Sequence, residues 1–388
     1  MSPPRRQIKD LPGPRAWPFV GNMLQVTPAR IHQDVEQLCQ QYGKFCRVYF
    51  GRRCVLVVAD QQAIAIMLRE RPETFRRPTL TSRISQEMGG TPGVFLAEGV
   101  QWRNQRRMVM AGFAPGPIKS YFPAIVQVAL RLQRRWANAV QAGSSIDVSA
   151  DLKRYTVDII AGLAFGCEVN TLEAGEDTIQ RHLDDILPAT MRRSLAIFPY
   201  WRYFKLPQDR RLERSVAGMQ TEVAKLIAQA RQRMLDRPEL REKPGNLLEA
   251  MIAAADQPGS GVDDDAVAGN VSTMLLAGED TTANTIAWLI YLLERNPQAL
   301  QLATQEVQRL APDCATLSLE QMDALVYLDG CINEAMRLKP VAPFMPLEAV
   351  HDTAVGDVQV PRGTVVWAVL RHDTVDAAHF ADPLAFKP

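Results

Sequence analysis

The chain carries almost no net charge: 44 Lys and Arg stand against 43 Asp and Glu, a balance of +1. No global field therefore draws it to nucleic acid or to an acidic membrane. Its six cysteines (Cys39, Cys46, Cys54, Cys167, Cys314 and Cys331) show no C-x-x-C spacing. That argues against a zinc site and against a disulfide framework in 388 residues, and a reducing cytoplasm is the expected location. The first residues, MSPPRRQIKDLPGPRAWPFVGNM, contain no apolar run long enough for a signal peptide, so no transmembrane anchor is expected. G-x-G-x-x-G, P-loop, H-E-x-x-H and G-x-S-x-G motifs are all missing, and the enzyme classes they mark find no support.

What is present begins with an apolar share of 47%, enough for a sizeable core. The longest apolar stretch runs from Val271 to Leu293, VSTMLLAGEDTTANTIAWLIYLL. It is good helix material, apolar on nearly every side, and is predicted as a buried central helix over about 263–295. Glu279 and Asp280 interrupt it, flanked by Gly278, Thr281 and Thr282. Neither acid has a Lys or Arg three or four positions away, and Gly278 costs such a helix about 1 kcal/mol against Ala. A membrane span fits poorly, because adjacent acids at a bilayer centre are expensive. An ordinary core helix and a functional site are the readings that remain.

Around this stretch the patterns are mainly helical. Ile31 to Tyr42, Gln61 to Arg71, Pro117 to Val140, Val148 to Phe165, Asp177 to Ile197, Arg210 to Leu235, Pro297 to Leu310 and Asp323 to Leu338 read as helices. The runs KFCRVYF and RCVLVVAD flank Gly51-Arg52-Arg53 and read as a hairpin. Val341 to Leu370 is β-like, residues 1–30 are Pro-rich and expected to be extended, and Arg76 to Phe95 is loop-like. The stretch Ile197 to Phe204 is unusually aromatic: a substrate entrance, a membrane-facing loop and a core-packed loop are all open. Asn270-Val271-Ser272 matches a glycosylation sequon, but it begins the buried helix and is discounted.

Ala277-Gly278-Glu279-Asp280-Thr281-Thr282 resembles, at all six positions, the oxygen-activation motif of the haem-thiolate monooxygenases, the cytochrome P-450 family. Physics is consistent with it. Gly278 lets a flat ligand or O2 approach the backbone, a hydroxyl such as that of Thr281 can loosen the helix ladder, and Asp280 can relay protons. Trp102 and Arg106, four apart on one helix face, resemble the family's W-x-x-x-R pair that bonds a haem propionate; taken alone they are a basic solvated helix with one Trp. Glu334-Ala335-Met336-Arg337 resembles the family's E-x-x-R. Here amphipathicity disagrees: an apolar stripe through Leu325, Leu328, Ile332 and Met336 leaves Glu334 and Arg337 on the opposite side, as a surface pair of little value. Where many members have an Arg five residues before an Asp, this chain has Leu347 before Asp352, and His351 and Arg371 become the alternatives for that propionate.

The resemblance implies one mainly α domain over 1–388 with a small β-rich lobe, the cytochrome P-450 fold. It implies haem b as cofactor, with NAD(P)H serving indirectly through a separate reductase or ferredoxin, and an apolar small-molecule substrate. Catalysis falls to Asp280 and Thr281, cofactor binding to Trp102, Arg106, Ala277 and Gly278, and a structural network to Glu334 and Arg337. No metal ligand is assigned, because no cysteine stands in the F-x-x-G-x-x-x-C-x-G context; Phe386-Lys387-Pro388 resembles the opening of the segment before that loop. The expectation is therefore a monooxygenase fold incomplete at its C-terminus, with a haem-poor pseudoenzyme or partner-binding scaffold as the alternative.

Overall fold

A computed structural model describes residues 6–388 apart from 114, 168, 175–177 and 197. Met1 to Arg5 of the Pro-rich entry, and Asp177 and Ile197 at the ends of one expected helix, lie outside the described residues. The chain forms two compact units. The first comprises Met1–Glu87, Pro188–Pro207 and Arg337–Ala385; the second comprises Met88–Leu187, Gln208–Met336 and Phe386–Pro388.

The first unit is the β-rich one. Its strands are β1 (Arg6–Gln7), β2 (Phe45–Phe50), β3 (Arg53–Val58), β4 (Phe75–Arg76), β5 (Phe344–Ala349), β6 (Thr353–Val355), β7 (Val358–Val360) and β8 (Val365–Val369). They make a five-stranded sheet in the order β2-β3-β8-β5-β4 and a three-stranded sheet β1-β7-β6. The expected hairpin is there: β2 and β3 pair antiparallel, with Gly51 at φ +59° in the turn, a conformation that glycine adopts without a Cβ penalty. β3 then pairs in parallel with β8, Leu56 opposite Val366 and Val57 opposite Trp367. Both strands read as unbroken apolar runs because both faces are covered. Leu56, Val58, Val366 and Ala368 enter one core with α2 (Gln61–Arg69). Val55, Val57, Trp367 and Val369 enter another with α1 (Ile31–Tyr42).

The loop expected over Arg76 to Phe95 contains a helix, α3 (Thr79–Glu87). Its sequence TLTSRISQE buries only Ile84, so periodicity does not announce it. Its N-terminus is capped from far away: Glu348 on β5 accepts from the backbone N–H and the hydroxyl of Thr79, both at 2.9 Å, where a local side chain would ordinarily stand. Among the described residues of the aromatic stretch Trp201 alone is buried, donating through Nε1 to Glu87 at 2.9 Å, while Phe198, Tyr203 and Phe204 are exposed; Ile197 lies outside the described residues. The core-packed reading of that loop therefore holds only for Trp201.

Asp373 is a buried carboxylate of this unit. It accepts from Lys44 Nζ at 2.9 Å, His372 Nδ1 at 2.9 Å and the Gln61 backbone N–H at 3.3 Å. Burial alone would push its pKa up, but these donors outweigh burial and hold it below the usual range. The stability it contributes is complete above the unfolded value of about 4 and is lost as the pH falls through the lowered folded value. Asp373→Asn is expected to flatten this acid limb in urea midpoints measured against pH, and to cost about 1–3 kcal/mol near neutrality. An unchanged limb would assign the acid loss to other carboxylates.

The second unit is helical. It contains α4 (Gly99–Gly112), α5 (Pro115–Gln141), α6 (Val148–Phe165), α7 (Thr171–Ala174), α8 (Thr178–Leu195), α9 (Pro207–Asp236), α10 (Leu247–Ala255), α11 (Asp264–Glu294), α12 (Pro297–Leu310), α13 (Leu319–Asp323) and α14 (Val326–Leu338); α8, α9 and α14 each have end residues in the first unit. The predicted central helix is α11, started by Asp263, whose side chain accepts from the Ala266 N–H. Its main packing partner is α6. Phe165, Leu248, Met251, Val267, Val271 and Leu275 make the heart of its core. No described helix is long and apolar enough to cross a membrane.

The helix expected over Asp323 to Leu338 begins later. Asp323 closes α13, which has a Ser318/Gln321 capping box. α14 starts at Val326, with Glu306 of α12 accepting from the Tyr327 and Leu328 N–H groups, both at 2.9 Å. A carboxylate there also complements the helix dipole.

Candidate functional site

The site grows out of one stripe of α11. Asn270, Met274, Ala277, Thr281, Thr285 and Trp288 follow the three-and-four spacing that puts residues on one helix face. The first two are buried, whereas Ala277, Thr281 and Trp288 are exposed. The stripe is thus covered at one end and open at the other. The cover is built by polar contacts that pin α4 and the loop before it. Asn270 donates through Nδ2 to Gln105 Oε1 at 3.0 Å and accepts the Val94 N–H at 2.9 Å; Gln105 in turn donates to the Pro92 carbonyl at 3.2 Å. Gly93 lies so close to α11 that a Cβ there would fall 2.2 Å from Thr273 Oγ1. Asn270 is buried and fully engaged, which removes the sequon from consideration. The sequence suggested a helix buried nearly all round; the open stripe is the departure from that expectation.

The motif residues divide between the open stripe and α6. Thr281 stands on the stripe and donates to the Ala277 carbonyl at 2.8 Å. Asn284 and Thr285 bond back in the same way to the Asp280 and Thr281 carbonyls. The Thr281 bond is of the kind that can loosen the ladder, yet α11 stays continuous from Asp264 to Glu294. Glu279 is 2% exposed, and its backbone carbonyl accepts the Thr156 hydroxyl of α6 at 2.9 Å. Asp280 pairs with Lys153 of α6 at 3.1 Å. The acid that has no partner within its own helix therefore has one on the neighbouring helix. Lys153 and Thr156 are the residues that sequence reasoning missed; nothing within α6 marks them, because Ser149, Asp151, Arg154 and Asp158 are polar positions of the same helix.

Gly278 lies against α6. A Cβ at this position would lie 2.8 Å from Ile160 Cγ1 of α6. The glycine allows α6 and α11 to approach closely at this point. Gly278→Ala should gain about 1 kcal/mol in helix propensity and lose about 1–3 kcal/mol to overpacking. A net destabilisation in thermal or urea unfolding is the expected result, and a stabilised variant would show that Ile160 simply moves aside.

Trp102 and Arg106 come together as predicted, the guanidinium carbon 5.5 Å from the indole ring centroid. Gln105, next to them on α4, sets the rotation of the helix through its bonds to Asn270 and Pro92. Among the described residues no acceptor meets the Trp102 indole N–H or the Arg106 guanidinium. Of the two alternatives for the carboxylate clamp, Arg371 is engaged elsewhere. Arg371 grips Glu36, with the longer contact at 2.8 Å, and donates to the Leu338 carbonyl at 2.9 Å. His351 is exposed and contacts only the Asp352 carbonyl, and Leu347 is a buried sheet residue. Cys331 is completely buried, and burial together with the Glu306 carboxylate pushes its thiol up to about 11. It is a protonated core residue, not a thiolate ligand.

The E-x-x-R face is covered, against the amphipathic expectation. Cys331, Ala335 and Leu338 form the buried side of α14, and Met336 is 41% exposed. Arg337 donates to the carbonyls of Thr374 at 2.6 Å, Pro383 at 2.8 Å and Ala385 at 3.0 Å, with Phe380 stacked on it. Glu334 accepts the Lys387 N–H at 2.9 Å.

Comparison with known proteins agrees with this architecture. The family model described as Cytochrome P450 matches residues 11–388. Cytochrome P450 3A6 of Oryctolagus cuniculus is 24% identical over 97% of this chain and 76% of its own length. Cytochrome P450 3A29 of Sus scrofa is 26% identical over 97% of this chain and 75% of its own. A bifunctional cytochrome P450/NADPH–P450 reductase of Bacillus cereus is 24% identical over 90% of this chain and 32% of its own length. With a family model matched along almost its whole length, on a helical body whose central helix carries the oxygen-activation motif, the chain belongs to the cytochrome P450 family of haem-dependent monooxygenases.

Proposed function

We propose that the open stripe of α11 is the oxygen-activating face of this monooxygenase and that its substrate is an apolar organic molecule. The observation carrying this reading is the exposure of Ala277 and Thr281 on a helix whose other motif residue, Glu279, is buried. Small and hydroxyl-bearing groups are left bare where a flat ring and O2 could lie, while the acid beside them is held by Lys153.

Haem b is the group that the family implies, and the residues present fit it on two sides. Ala277 gives a small floor beside the Thr281 hydroxyl. Trp102 and Arg106 offer unengaged donors suited to a propionate, which a guanidinium grips with two N–H groups. When bound, haem supplies the reduction of O2 and the insertion of one oxygen atom into the substrate, with electrons drawn from NAD(P)H through a reductase. The chain's own residues bind, orient and deliver protons. Asp280 exchanges protons from the α6 side, and Thr281, tethered to the Ala277 carbonyl, hands them across the open stripe.

Haem titration, followed by Soret absorbance and tryptophan quenching, tests the reading without requiring turnover. One haem per chain is expected. Arg106→Gln should weaken binding about tenfold, equivalent to about 1.4 kcal/mol. Absence of saturable binding, or an affinity indifferent to Arg106, would reject the carboxylate clamp and favour the scaffold alternative.

A further inference from the structure

We propose that the open cleft lined by α5, α6, α7 and the α5–α6 loop binds a small organic molecule carrying two or more oxyanion groups. The inference is independent of the oxygenase reading. The cleft measures about 710 Å3, within the roughly 300–1,000 Å3 of small-molecule sites. Four arginines line it: Arg131, Arg134 and Arg135 from α5 and Arg154 from α6. Asn138 and Ser145 add neutral polar groups, and Ile146 and Leu172 add apolar wall.

Four cations meet three acids, and each acid already has a local task. Asp151 is buried and accepts from Arg135 Nε at 2.9 Å, Trp136 Nε1 at 3.0 Å and Arg154 Nη1 at 3.2 Å. Asp147 caps α6 by accepting the Ala150 N–H at 3.0 Å. Glu173 accepts from Asn170 Nδ2 at 2.7 Å and stands 3.8 Å from Arg134, too far for a hydrogen bond. Arg135 is fixed in place, donating also to the Leu172 carbonyl at 2.8 Å. The buried Asp151 therefore acts as a post. It orders Arg135 and Arg154 at one wall, while the Arg134 fork makes no hydrogen bond to an acid. Guanidinium forks held in this way recognise phosphate or carboxylate oxygens in pairs. With a net charge of only +1 on the chain, the attraction is local to this cleft.

The cleft does not share the motif's side of α6. Ala150, Asp151 and Arg154 line it, whereas Lys153 at the flank of the helix and Thr156 on its opposite side engage Asp280 and the Glu279 carbonyl.

Pyrophosphate and citrate, each titrated at constant ionic strength maintained with chloride, separate a phosphorylated ligand from a polycarboxylated one. Isothermal titration calorimetry on the full chain is expected to give one saturable site for at least one of them, with the thermal midpoint rising in parallel. A response to either probe supports the proposal and names the ligand chemistry. The double variant Arg131→Gln/Arg134→Gln, which leaves the Asp151 post intact, should weaken binding at least tenfold. Ser145→Glu keeps all four arginines, adds one negative charge to the lining, and should also weaken it. Absence of saturable heat with both probes would overturn the proposal. So would equal binding by both variants, or a thermal shift that chloride alone reproduces. Haem titration reads a different set of residues, so either result can fail without the other.

Discussion

Arg337→Ala is expected to lower the unfolding free energy by at least about 1.5–3 kcal/mol, the worth of one hydrogen bond to a charged group, because three such part-buried bonds are lost together. The guanidinium is the common donor to three carbonyls, those of Thr374, Pro383 and Ala385. Phe380 stacks on it, with the guanidinium carbon 4.4 Å from its ring centroid. Bonds to a charged donor are each worth about 1.5–3 kcal/mol, and stranded acceptors add their desolvation. Thr374 also returns a bond, its hydroxyl donating to the Arg337 carbonyl at 3.2 Å. Arg337→Lys keeps the charge, but one ammonium cannot span three carbonyls in the fixed geometry of a fork, so less than half the loss should be recovered. Urea unfolding of both variants decides the matter. A cost under about 1 kcal/mol for the alanine variant, the value of an exposed pair, would restore the amphipathic reading of α14.

Asp280→Asn should reduce turnover of the haem-loaded, reductase-coupled enzyme by roughly 10²-fold or more, the usual worth of a positioned acid–base group. The amide keeps the shape of the side chain and can still contact Lys153, but it cannot release a proton. Substrate affinity should hold, because Asp280 lies to the α6 side of the open stripe. Lys153→Met should have a smaller effect, because it removes the ion pair that positions Asp280 but leaves the carboxylate in place. Thr281→Ala should instead uncouple electron use from product formation, because the hydroxyl held on Ala277 is lost from the stripe. An Asp280→Asn enzyme with an unchanged rate and an unchanged solvent isotope effect would remove Asp280 from the proton path and leave it as a packing residue of the α6–α11 interface.

Local pattern was a good guide wherever a single element's own residues decide its structure. The apolar run from Val271 to Leu293 lies inside α11, and the hairpin around Gly51 is where turn chemistry put it. α1 and α12 have the boundaries their punctuation suggests, the glycine after Tyr42 and the proline at 297. Local pattern failed where the decisive partner is remote. α3 carries too few apolar residues to be recognised, and Glu348 on β5 supplies its cap. On α14 the visible stripe through Ile332 and Met336 suggested the wrong buried side, because a segment ending in Ala385 lies over Arg337 and changes which face is interior.

The sequence by itself determined the mainly helical body, the β-rich lobe, the central helix with its acid, glycine and hydroxyls, and the pairing of Trp102 with Arg106. These follow from spacing within one element, where 3.6 or 2 residues per repeat fixes neighbours without further information. The tertiary structure alone decided that Gly278 serves the approach of Ile160, that Asp280 rests on Lys153, that Arg337 anchors carbonyls, and that the stripe through Ala277 and Thr281 is open. Each of these depends on which faces of distant elements meet, and a face carries no label for its partner until the helices are packed.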